Sequence, residues 1–448
     1  MARMRIPLVF CLATISSGLA SAAALDWPSL ETESVKNLQA YLRLDTSNPP
    51  GDVRKAVGLL ESICKKEGIS TKRYVIDEKK GLSSLLARLP GGGKGRPLLM
   101  LAHMDVVPAN PSEWKLPPFS GIVKEGELWG RGALDMKGPG MSELMAMASL
   151  KREGFVPKRD LLLLFNPDEE AGGHHGAQWM VENHWEDLNP EFVLDEGGSG
   201  TKGVYTDDGR IIYGISVDEK RVLWLKASAK GQGGHGSMPG QDLAVAKLSK
   251  FLAKLSSWRP PQKQNDLVTL LKARVGGHLA ENELTRALMG TTVTATSFRA
   301  GVGDPPKVNV VPDLAEATID CRLLPGESWE ALLGRINAMA KEFGVLVELI
   351  QSPVESPSMG WDSPLFRSME STIARLEPGA LTLPVLCTGG TDARYFRAKG
   401  AVGYGFLPFV LTPDQKALWH SRDERIVVED FRKGIRLYHD VLADFLGR

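Results

Sequence analysis

The stretch 160-DLLLLFNPDEE-170 runs from Leu161 to Phe165 without a polar residue and then stops in two carboxylates, Glu169 and Glu170. An apolar run that does not alternate reads as a strand buried on both faces, as in a parallel sheet. Two further stretches have the same form. In 97-PLLMLAHMD-105 the run Leu98–Ala102 meets His103 and Asp105, and 191-EFVLDEGG-198 ends at Asp195 and Glu196. Helical stretches lie between them, at 142–154 and 176–184. The rhythm is that of βαβ units. In open α/β sheets the site lies beyond the carboxyl ends of the strands, where all three polar clusters fall.

Outward from there the rhythm changes near residue 219. Strand-like 220–231, helical 241–258, strands 291–300 and 315–326, helical 328–344 and strand 345–350 follow in turn. That β-α-β-β-α-β order is the pattern of a small two-layer domain. The expected organisation is an α/β catalytic domain formed by 25–218 and 353–448, with a smaller domain, 219–352, inserted between its halves. The segment 259–290, with His278, has no place in that scheme.

The 448 residues carry 54 Lys+Arg against 54 Asp+Glu, so no net field argues for nucleic acid or an anionic membrane as partner. The first 22 residues have Arg3 and Arg5, an apolar run too short to span a bilayer, and a small-x-small site at Ala20-Ser21-Ala22. They read as a signal peptide, and the expected product is exported, periplasmic or secreted, and off the membrane after cleavage. Cys64, Cys321 and Cys387 then remain, too few for a disulfide framework, and read as small buried apolar residues.

Several residues can carry chemistry. His103 and Asp105 point the same way on an extended segment, and a metal-binding His usually has a carboxylate behind it. Asp135 precedes a helix after a glycine-rich turn, as a ligand or as an N-cap. Of the adjacent Glu169 and Glu170, one can hold a metal while the other takes a proton from water; equally, two acids suit a helix N-terminus. Asp195, Glu196, His235 and His420 complete the set. Mixed N/O ligation by two His and several carboxylates suits zinc or a similar divalent ion, with enough ligands for two ions about 3.5–4 Å apart.

Six motifs in order, LAHMDVVPA, PPFSGIVKEGELWGRGALDMKG, PDEEAGG, HGSMPG, NVVPDLAEATIDCRLLPG and GGTDARYF, resemble the dinuclear-zinc metallopeptidase and amidohydrolase family of glutamate carboxypeptidase, aminoacylase, carboxypeptidase S and succinyl-diaminopimelate desuccinylase. The likeness runs from 43-RLDTSNPPGD-52 to 418-LWHSRDERI-426. It implies two divalent ions, zinc first, held by His103, Asp135 as bridge, Glu170, His420 and either Asp195 or Glu196. It implies Asp105 as the residue orienting His103, and Glu169 as general base and acid. The insert resembles a lid and dimerisation domain, so a homodimer is expected. His235 resembles a carbonyl-polarising histidine, and Asn309, Arg322, Gly389, Gly390 and Thr391 resemble substrate binders. Segment 259–290 departs from the compact lid. No ligand role falls on His174 or His175. The implied reaction is hydrolysis of an amide or peptide bond beside a free carboxylate, in a small peptide or N-acyl amino acid. Rival readings are an aminopeptidase and a silent binding protein on the same scaffold; an oxidoreductase lacks its GxGxxG turn.

Overall fold

The computed structural model describes residues 25–263 and 265–447. The signal-peptide reading of residues 1–22 falls outside them. Among the described residues no helix is long and apolar enough to cross a membrane.

Eight long strands form the main sheet: β1 (Ser70–Asp77), β2 (Leu82–Leu89), β3 (Gly95–His103), β4 (Arg159–Asn166), β5 (Phe192–Lys202), β6 (Ile211–Glu219), and, after the insert, β11 (Leu381–Cys387) and β12 (Val402–Leu411). Their order is β1-β2-β4-β3-β5-β12-β6-β11. The centre, β4-β3-β5-β12, is parallel, while β1-β2-β4 on one side and the contacts of β6 with β12 and β5 on the other are antiparallel. The sheet is therefore mixed around the parallel core that the unbroken apolar runs demand.

Those runs serve two interiors at once. Leu98, Met100, Ala102, Leu161, Leu163 and Phe165 join one apolar core with α1 (Lys137–Arg152) and α8 (Val428–Gly447). The alternate residues Leu99, Leu101, Leu162 and Leu164 join a second, with α2 (Ala177–Asn183) and α7 (Ala393–Arg397). Side chains alternate across a strand, so covering both faces requires an apolar residue at every position.

One strand runs past its expected end. β5 continues through Asp195 and Glu196 to Lys202, with a shift in its pairing to β12 between Gly405 and Leu407. Gly197 sits at φ +115°, and a Cβ on Gly198 would lie 2.3 Å from the Gly214 carbonyl and 2.4 Å from that of Gly405. Only glycines let the strand bulge here with backbone closing on both sides.

The inserted sheet is antiparallel, order β8-β9-β7-β10, from β7 (Arg221–Lys230), β8 (Thr292–Ala300), β9 (Leu314–Leu323) and β10 (Val345–Gln351). Helices α3 (Ala244–Ser257) and α6 (Trp329–Lys341) cover one face. On β9, Ala315, Ala317, Ile319, Cys321 and Leu323 point into that layer, which leaves Asp320 and Arg322 on the open face. Segment 259–290 forms α4 (Asp266–Val275) and α5 (Glu283–Leu288). It packs on the main sheet: Val268, Leu271, Val275 and Leu288 share a core with Ile212, Leu383 and Val385. Cys64, Cys321 and Cys387 are buried thiols.

Candidate metal centre

Six side chains from five parts of the chain converge where the parallel strands end. His103, the last residue of β3, places Nε2 2.9 Å from Asp135 Oδ1 and 3.7 Å from Glu196 Oε1. His420 approaches the other Asp135 oxygen, Nε2 to Oδ2 3.1 Å, and stands 3.2 Å from Glu170 Oε2. Asp135 thus spans the two histidines. Ligand atoms of His103, Asp135 and Glu170 lie within 4.8 Å of one another, as do those of His103, Glu169 and Glu196. The N-cap alternative for Asp135 fails, because the cap of α1 is Met136 and no side chain caps it.

One expectation narrows and another gains detail. Asp195 turns away from the cluster: its carboxylate accepts from the Glu196 N–H at 2.8 Å and from the Ala393 N–H, at the start of α7, at 2.7 Å. Successive side chains on a strand point to opposite faces, so Asp195 and Glu196 part. Asp105 meets His103 chiefly through its backbone: Nδ1 is 2.9 Å from the Asp105 carbonyl oxygen and 3.6 Å from the carboxylate. That carboxylate also accepts from the backbone N–H groups of Glu169 and Glu170, each at 3.2 Å, and from Asn48 Nδ2 at 2.9 Å. Asp105 sets the turn that aims the two glutamates.

Three supporting residues were invisible in the sequence. Buried Glu424 accepts from the N–H groups of Gly132, Leu134 and Asp135 and pairs with Arg131 at 2.8 Å, clamping the loop that presents Asp135. Arg394 donates to the Thr391 and Gly172 carbonyls at 2.6 and 2.8 Å and stands 3.6 Å from Glu169 Oε1. Asn48 joins Asp105 to Asp168. All three sit inside quoted motifs, but only contacts far along the chain reveal their work.

The electrostatics are those of crowded like charges. Burial, then the neighbouring Asp135 carboxylate, pushes Glu170 up to about 7 and Glu196 well above the carboxylate range. Burial raises Glu169 too, against the pull of His103 and Arg394. Burial opposes charge on Asp135 as well, yet hydrogen bonds from both histidines hold its carboxyl below the usual range. Burial would discharge His420, but Asp135 and Glu170 lift it to about 11. Glu170 Oε1 is buried with no hydrogen-bond partner among the described residues.

The cluster opens into a cleft of about 760 Å³, lined also by Gly389, Gly390, Thr391 and Arg322. Thr391 is occupied, its N–H and Oγ1 both donating to Glu219 at 2.9 Å. Arg322 gives only Nε to Asp320, at 2.9 and 3.1 Å, so its two terminal nitrogens have no partner among the described residues. His235 and Asn309 are not in the cleft. The Gly234–His235 strand pairs with Val310–Val311, and Gly236 N–H donates to Asn309 O at 2.8 Å. They lie beyond the Lys230–Leu314 end of the inserted sheet, whereas Arg322 stands near the Arg221–Leu323 end, on the order of 30 Å away along the strands. His174 and His175 are exposed; the His174 ring pairs with Gln178, and neither approaches the cluster.

The profile of peptidase family M20/M25/M40 matches residues 99–444. The chain belongs to that family. Aminoacylase-1 of Sus scrofa is 30% identical over 420 residues, covering 92% of this chain and 95% of the relative. A probable carboxypeptidase S-like 2 of Dictyostelium discoideum is 28% identical over 376 residues, 78% of this chain and 72% of its own. Among solved structures, an M20 family metallo-carboxypeptidase from Sulfolobus solfataricus superimposes with a TM-score of 0.72 at 20% identity, over 93% of this chain and all of the other. At that identity the likeness is one of fold. The M20 chain is thus an enzyme of the metallopeptidase and amidohydrolase class, its mixed α/β domain carrying an inserted two-layer domain.

Proposed function

We propose that this M20 hydrolase cleaves an amide or peptide bond next to a free carboxylate, as a carboxypeptidase, dipeptidase or N-acyl-amino-acid hydrolase. One observation carries the reading: a cluster of four carboxylates and two histidines opens into the same cleft as an arginine whose terminal nitrogens are free. A planar guanidinium with both terminal nitrogens available suits a carboxylate.

The residues fit a pair of divalent ions. Glu170 Oε1 is orphaned, and the crowded carboxylates lack a cation apart from the histidines and Arg394. His103 with Glu196 would hold one ion, His420 with Glu170 the other, and Asp135 would join them; zinc suits this donor set. When bound, such ions acidify water and polarise the scissile carbonyl. Glu169, raised by burial yet steadied by Arg394, takes the proton from water and returns it to the leaving amine. Arg322 holds the free carboxylate, and Gly389, Gly390 and Thr391 form the wall beside it. His235 and Asn309 stand too far from this cleft to touch its substrate, which supports a homodimer in which each insert reaches its partner's site. An export signal at residues 1–22 is part of the same proposal.

The test combines metal analysis of the purified protein with a panel of dipeptides and N-acyl amino acids, each beside its C-terminal amide. The reading requires about two divalent ions per chain and turnover confined to free carboxylates. Equal turnover of the amides would overturn the role of Arg322.

A further inference from the structure

Past the cluster, the cleft has a wall that the proposed reaction leaves unused. β5 bulges there from Glu196 to Ser199 and faces the end of β11; a Cβ on Gly197 would lie 3.1 Å from Cys387 Sγ. Lys416 and Trp419, from the segment that also carries His420, line the same cleft. Three donors on this wall lack an acceptor among the described residues. Ser199 is 3% exposed and its Oγ has no partner. Trp419 Nε1 is buried and unpaired. The half-buried Lys416 side chain has neither hydrogen bond nor ion pair among the described residues; its Nζ rests 4.1 Å from the Trp419 ring centroid.

Ser199 Oγ and Trp419 Nε1 are buried donors without acceptors, which native structures rarely keep idle, and the Lys416 ammonium reaches the same cleft. Water could serve the hydroxyl and the indole, whereas an ammonium in a cleft lined also by Leu386 and Leu407 is best matched by an anion. Burial draws Lys416 down to about 8, which leaves it mostly charged at neutral pH. Arg322 reaches the cleft from the inserted sheet and Lys416 from the segment that leads to His420, so different parts of the fold supply the two cations.

We propose that Lys416, with Ser199 and Trp419, receives a second carboxylate of the substrate, distinct from the one at Arg322. The preferred substrates are then amides that carry an acidic group besides the free terminal carboxylate: a dicarboxylic acyl group or an acidic side chain. The inference deepens the hydrolase reading and rests on it.

Two isosteric pairs test it on the metal-loaded full chain: N-glutaryl-leucine against its terminal-amide analogue, and Glu-Leu against Gln-Leu. In at least one pair kcat/KM should favour the acid by about tenfold or more. The pair that shows it identifies an acyl or a side-chain source. Lys416→Met should collapse that ratio toward one, and Lys416→Arg should retain most of it. A wild-type ratio near one in both pairs, or a ratio that survives Lys416→Met, overturns the inference. If none of the four compounds is hydrolysed, the hydrolase reading fails instead, and calorimetry with glutarate against butyrate decides the subsite. Glutarate binding weakened by Lys416→Met supports it, and equal binding by both proteins overturns it.

Discussion

Glu169 and Glu170 are neighbours in the chain and face different partners. Both N–H groups are tied to one carboxylate, that of Asp105, so the turn is rigid and the two side chains diverge: one toward Arg394, the other to His420. That divergence supports the proposed division of roles, the proton for Glu169 and the ion for Glu170. Glu169→Ala should keep both metals and lower kcat by about 10²–10⁴-fold, the usual contribution of a general acid–base group. Metal analysis beside turnover checks it, and a variant near wild-type rate would remove Glu169 from the mechanism. His174 and His175, four and five residues beyond Glu170, are exposed to solvent. Changing both to Asn should leave the metal content as it was; an ion lost in that double variant would reopen their case.

At the scale of elements, the site depends on loops held by buried carboxylates. Glu424 satisfies three N–H groups of the loop before α1 and the buried Arg131 guanidinium. Glu424→Ala strands that charge and those donors, and should cost roughly 3–5 kcal/mol in urea unfolding. Metal affinity should fall with it, because Asp135 loses its support. The β5 bulge is the second such device. Gly198→Val puts a side chain against two backbone carbonyls, Gly214 and Gly405. The strand must move, at a cost of about 1–3 kcal/mol, and Glu196 moves with it. Thermal unfolding and metal titration of this variant should both show losses; an unchanged midpoint would mean that the bulge relaxes freely.

For the molecule as a whole, the cluster couples stability to pH and metal. In metal-stripped protein Glu170 is raised from the usual 4.5 to about 7, so the folded state keeps its proton where the unfolded chain has released it. That stability is complete below about pH 4.5 and is lost as pH rises toward 7. Raised His103 and His420 act in the same direction, above the ordinary histidine value of 6.5. Asp135, lowered, opposes them only in acid. The stripped protein should therefore melt at a falling temperature between about pH 5 and 8, and zinc should raise Tm most at the upper end. A melting temperature that climbs over that range contradicts this charge arrangement. The parallel core was legible in the chain because a strand buried on both faces must be apolar at every position, as Leu161–Phe165 is. The insert was legible because its strands alternate on one covered face. Motif order placed His103, Asp135, Glu169, Glu170 and His420 in one family pattern. The turning of Asp195 away from the cluster, the further bonds of Asp105, the clamp of Glu424 and the seat of segment 259–290 on the main sheet were decided only by tertiary structure. Local sequence sets periodicity and backbone freedom, but where a buried carboxylate finds its donors depends on chain segments hundreds of residues away.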